Sequence, residues 1–204
     1  MTAASPATGS STDASAAATQ RLFEAKARAE LARADRLLGG RLPVAGSGDP
    51  IGRVLLVKGE PGEADRATRT ALAGPDGEAA SKALERLGFD PRSAWATCSR
   101  PGRGDEAALS ARLRLIIEAV DPAMVLGLDA VAAEDLARAL GIAMLRSGVP
   151  VTVMGRVVGS LEGLEASLGD AAAKARVWRQ MQAVAAGAAG SEERPRTSAQ
   201  PGPG

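Results

Sequence analysis

Residues 54–77 read VLLVKGEPGEADRATRTALAGPDG, and the reading of this stretch decides the fold. The apolar run from Val54 to Val57 is too short for a helix and is bounded by turn residues, so it predicts a buried strand. It runs straight into Gly59, Glu60, Pro61 and Gly62. Proline fixes φ while the flanking glycines let a backbone come close, so this turn is shaped to hold something small. A second turn at Gly74 and Pro75 opens a helix expected to run to about Leu87.

The same alternation continues downstream. Strands are expected at Ala94 to Thr97, Met124 to Leu128 and Val149 to Met154, with helices at Asp105 to Ala119, Ala130 to Leu140 and about Ala166 to Ala186. Short strands separated by helices of ten or more residues imply parallel pairing through right-handed crossovers. The expected fold is therefore α/β, a three-layer α/β/α domain with a short, mainly parallel four-stranded central sheet. Ligands in such sheets bind outside the carboxyl ends of the strands, which directs attention to the loops after Val57, Thr97, Leu128 and Met154. Upstream, residues 18–40 read as a charged outer helix closed by glycines, with a partial stripe of Leu22, Ala25, Ala29, Ala32 and Leu37. The Ala, Ser, Gly and Pro content of residues 1–17 and 188–204 predicts disordered tails around a domain at 18–187.

Composition narrows the chemistry. The 204 residues suit one domain, and the 45% hydrophobic content comes mostly from Ala, Val and Leu, with two Trp, two Phe and no Tyr. There is no His and no Asn, so imidazole, the usual acid/base near neutral pH, is missing. The single Cys98 makes no internal disulfide and cannot alone build a zinc or iron-sulfur site, so neither metal nor cofactor is expected. With 25 basic and 24 acidic residues, bulk charge favours no polyanion, and any DNA contact must come from a local patch. Arg100 and Arg103 in the SRPGRG segment are the candidates for phosphate. Neither a leader nor an apolar run of membrane-spanning length is evident, so a cytoplasmic chain with no membrane partner is expected. The first loop lacks the closing GK[ST] of a Walker A motif and is not a dinucleotide fingerprint.

Several segments, in order, carry a resemblance: LLVKGEPGEAD at 55–65, Leu72, GPDG at 74–77, AWATCSRPGRGDEAAL at 94–109, and IIEAVDPAMVLGLDAVAAEDLARAL at 116–140. VPVTVMGRVVGSLEGL at 149–164 and KARVWRQMQAV at 174–184 complete it. Together, over about residues 25–185, they resemble the uracil-DNA glycosylase superfamily, closest to its iron-sulfur-containing bacterial and archaeal branch. The resemblance implies a base pocket at Gly59, Glu60, Pro61, Gly62, Leu72, Gly74, Cys98, Val158, Gly159 and Ser160. It also implies chemistry that draws a base from the DNA stack and stabilises it as a leaving anion while water attacks the sugar.

The chain departs from that pattern wherever the chemistry resides. Gly59 stands at the water-activating acid, with Glu60 one residue later. Leu72 replaces the aromatic ring and lacks its π face. The edge-reading Asn falls near Thr97 or Cys98, and the His falls on Arg156 or, by another alignment, on Val158. Three of the four cluster cysteines are missing. The expectation is a catalytically silent relative serving as a DNA-binding or protein-docking module in DNA repair. One alternative is a residual or altered glycosylase or nucleotide-acting enzyme, with Glu60 or Asp65 as base and Arg156 as electrostatic stabiliser. Another is an unrelated α/β interaction protein.

Overall fold

The computed structural model describes residues 9–40 and 42–192. Six strands form one mixed sheet: β1 (Ser47–Gly48), β2 (Val54–Lys58), β3 (Ala94–Cys98), β4 (Met124–Gly127), β5 (Val151–Val153) and β6 (Arg156–Ser160), in the order β1-β3-β2-β4-β6-β5. β2 pairs parallel with both β3 and β4, and β4 pairs parallel with β6. The short edge strands β1 and β5 run antiparallel to their neighbours.

Alternation along β2 sends its side chains to two different layers. Val54 and Leu56 pack beneath α3 (Pro75–Arg86), α6 (Leu164–Ser167) and α7 (Ala171–Glu192). Leu55 and Val57 face α1 (Gly9–Arg36), α4 (Glu106–Val120) and α5 (Ala130–Leu140). Burial on both faces explains why the central strands read as continuous apolar runs. A further short helix, α2 (Glu63–Thr68), follows the Gly-Glu-Pro-Gly turn.

The expected four-stranded sheet is thus a six-stranded mixed one, and the correction has a local cause. Met154 and Gly155 both adopt positive φ, 51° and 81°, which makes a two-residue turn of the kind that joins antiparallel strands. The stretch 149–154 is therefore an edge hairpin arm, and the strand that extends the parallel ladder is β6. α1 begins at Gly9 and α7 ends at Glu192, so residues 9–17 and 188–192, read as tail from composition, are helical. The rest of the expected tails, 1–8 and 193–204, lies outside the described residues. Among the described residues no helix is long and apolar enough to cross a membrane.

Gly159, expected in a base pocket, instead lets α7 approach β6. A Cβ there would lie 2.3 Å from Val184 Cγ2, so its bareness is a packing requirement. Gly159→Ala should lower unfolding free energy by about 1 to 3 kcal/mol, measured by denaturant titration. Adding Val184→Ala should recover part of that loss; a neutral single substitution would contradict the packing role.

Candidate functional site

β2 ends in Lys58, which shares the inward face of Val54 and Leu56 and is itself buried. Its ammonium meets three carboxylates: Asp76 at 2.6 Å, Glu165 at 2.8 Å and Asp65 at 3.0 Å. These come from α2, the first turn of α3 and α6, so one cation ties together the segments that follow β2 and β6. Burial by itself would lower the lysine pKa, but the hydrogen bonds it donates to Asp76, Glu165 and Asp65 overcome this and hold Lys58 well above its ordinary value.

Asp65 is committed in the same way. Its Oδ2 accepts from the Gly62 backbone N–H at 2.8 Å as well as from Lys58, and its Oδ1 accepts from the Ala73 N–H at 2.9 Å. The first of these contacts closes the N-terminus of α2. Burial would raise its pKa, yet the two backbone donors and Lys58 outweigh that and keep it below the ordinary carboxylate range.

Asp129 bridges the next loop. It caps α5 through the Ala132 N–H at 2.8 Å and accepts the Gly59 N–H at 2.9 Å. A Cβ on Gly59 would lie 2.5 Å from Val131 Cβ, so glycine is required there for the loops to meet. Asp135, buried on α5, accepts from Ser99 Oγ at 2.7 Å and takes a two-pronged contact from Arg100 at 2.9 and 2.8 Å. Burial opposes its ionisation, but Arg100, Ser99 and Arg138 prevail and its pKa is lowered. Arg100 in turn is pushed up by its hydrogen bonds to Asp135.

Two clefts open at this edge. One, of about 530 Å³, is lined by Lys58 together with five carboxylates, Glu60, Asp76, Asp129, Glu162 and Glu165. The other, of about 630 Å³, is bordered by Arg66, Arg100 and Arg103 with Glu60 and Glu106. Among the described residues no group of three or more Cys, Asp or Glu is arranged to hold a metal ion.

The residues singled out from sequence scatter. Glu60 is exposed on the rim shared by both clefts, beside Pro61, which lines the basic one. Gly62 and Gly74 cap α2 and α3 and line a smaller cavity with Lys58 and Asp65. Leu72 is half-buried against the α3 side of the core, with φ at 56°. Cys98 is buried with Val44 and Ala71, and burial pushes its thiol up to about 12, so it presents neither a nucleophile nor a ligand. Val158 is core, and Ser160 is fully buried with a hydroxyl lacking a partner.

Arg156 lies at the opposite end of the sheet. It precedes Val157, which pairs with the first residue of β4, and it contacts Asp121 at 2.5 Å. It therefore cannot stabilise an anion at the carboxyl edge. The residues that do organise that edge, Lys58, Asp76, Asp129, Asp135 and Glu165, were not anticipated. The one available signal was period two: Lys58 falls on the same face as Val54 and Leu56.

No protein-family model and no curated protein matches the chain.

Proposed function

We propose that this chain is a glycosylase-like α/β/α scaffold that excises no base and serves as a protein-docking module in DNA repair. One observation carries the reading. At the edge where the fold would bind a ligand, the buried charged side chains able to do acid/base work are already engaged with one another. A lysine acts as nucleophile only as the neutral amine, and Lys58 is held as an ammonium. Asp65 has both oxygens occupied and its proton affinity reduced, which disqualifies it as a general base. Glu60 is exposed near Arg100, so the altered-enzyme alternative keeps a single solvated carboxylate.

Electrostatics favour protein over DNA. The cleft around Lys58 carries five carboxylates against one cation, a balance that repels a phosphate backbone. In the other cleft Arg100 is engaged by Asp135 and Glu106, leaving Arg66 and Arg103 as its exposed cations.

The test has two arms. In a uracil-release assay on a duplex carrying one uracil, the expected signal equals the buffer control, and turnover well above it overturns the reading. Titration with a short duplex at low salt should show no saturable binding. Tight binding whose affinity falls steeply with salt would replace protein docking by DNA docking.

A further inference from the structure

α1 packs on α4 only through its second half. From Ala14 to Lys26 every side chain is exposed except half-buried Glu24, and Ala27 after them is buried. Asp35, near the end of α1, reaches Arg112, which binds the Cys98 carbonyl at the carboxyl end of β3. Phe23 instead lines a groove with Val120, Asp121 and Ile51, close to the amino ends of the strands. The first half of α1 thus extends beyond this groove, the stretch from Gly9 to Leu22 spanning about 21 Å at 1.5 Å per residue. A solvated helix of this length is marginal in water without tertiary contacts.

The exposed face of α1 is not random. Leu22 and Phe23 on this helix, and Leu37 just past its end, are exposed large hydrophobics, at 71%, 58% and 44% exposure. Leu22, Lys26, Glu30 and Arg33 follow steps of four and three, and Phe23 lies three before Lys26, so these five share one face of α1. Phe23, Lys26, Glu30 and Arg33 also line the groove of about 670 Å³ between α1 and α4. The order along this face is aromatic, cation, anion, cation. Laid antiparallel on its own copy it matches itself, Lys26 opposite Glu30 and Phe23 opposite Arg33, each contact occurring twice.

We propose that a second copy of this chain docks here, α1 against α1 antiparallel, to form a twofold dimer. Within α1 unlike charges face one another in this register, Glu30 lying also 3.5 Å from Arg33 of its own helix, and the guanidinium over the phenyl ring adds a cation–π contact. The apolar groove floor of Ile51, Leu115 and Ala119 is covered by the partner's helix. Because the interface lies along α1, it leaves the clefts at both carboxyl edges open. This is the isologous geometry expected of a homodimer.

The full chain in solution should show twice its 20.6 kDa mass by light scattering. Lys26→Glu places carboxylates opposite Glu30 at both contacts, and Glu30→Lys places ammonium groups opposite Lys26. Each variant alone should weaken the dimer by about tenfold or more, with helix content unchanged. Mixing the two variants should restore a dimer containing one of each, since every contact is then complementary. A monomeric wild-type chain, or a dimer indifferent to both substitutions, overturns the proposal. Neither result affects the uracil-release assay, which reads the clefts and not α1.

Discussion

Replacing Lys58 with Met should cost the fold about 3 to 5 kcal/mol at neutral pH, the range for removing one partner of a buried ion pair. Met keeps the length and apolar stem, so the loss reports charge more than volume. Asp76, 2% exposed, loses its ion-pair partner, and Asp65 keeps only its backbone donors. Glu165 offers a contrast, because its side chain is 56% exposed. Glu165→Gln should cost no more than about 1 kcal/mol, as for exposed pairs. A Lys58→Met loss below that of Glu165→Gln in denaturant titration would refute the cage as a structural brace.

The pH dependence has a definite sign. In the native chain the Asp65 and Asp135 pKa values are lowered. Their stabilisation is therefore present above the unfolded carboxylate value near 3.9 and is lost as pH falls through the folded values. Lys58 is raised, so its contribution is present below the unfolded lysine value near 10.4 and is lost as pH rises toward the folded one. Between about pH 5 and pH 10 these groups leave stability flat.

The cage also shows which parts of the architecture were readable. The parallel core was legible at Val54, Ala94 and Met124 because each begins a short apolar run bounded by turn residues. β6 was not, since its hairpin turn is announced only by Gly155, and Met154 is not a residue expected at positive φ. α2 was hidden for a different reason: six residues after a Pro-Gly turn carry too little periodicity to separate helix from loop. At the site, Glu60 drew notice by lying in the loop, yet a loop acid is usually solvated, as this one is. Asp76 reads as a turn residue in GPDG, but at the buried first turn of α3 its carboxylate has nowhere to go except Lys58. A lysine after an apolar run likewise reads as a solvated strand end. Only the partners, 7, 18 and 107 residues away along the chain, turn it into the centre of the edge.

Arg112→Ala should be comparably severe, about 3 to 5 kcal/mol, through cavity and lost hydrogen bonds together. Arg112 is 1% exposed on α4 and spans three elements. Its Nε donates to Asp35 on α1 at 3.0 Å, one terminal nitrogen donates to the Cys98 carbonyl at 2.9 Å, and the other lies 3.4 Å from Thr97 Oγ1. Burial lowers its pKa, Asp35 opposes the shift, and a guanidinium stays charged regardless. Asp35→Asn should cost less, about 1.5 to 3 kcal/mol, since the amide oxygen can still accept from Arg112 Nε while the buried guanidinium loses its counter-charge. The alanine variant also separates two roles of α1. Ala27, Leu31 and Ala34 hold the helix by apolar contact alone, so losing Arg112 loosens its upper end without altering the face proposed to pair. Hydrogen exchange should quicken in residues 31–36 before the rest of the fold, and self-association should weaken less than in Lys26→Glu. If exchange quickened uniformly, Arg112 would be a core residue like its neighbours and not the link between α1 and the sheet.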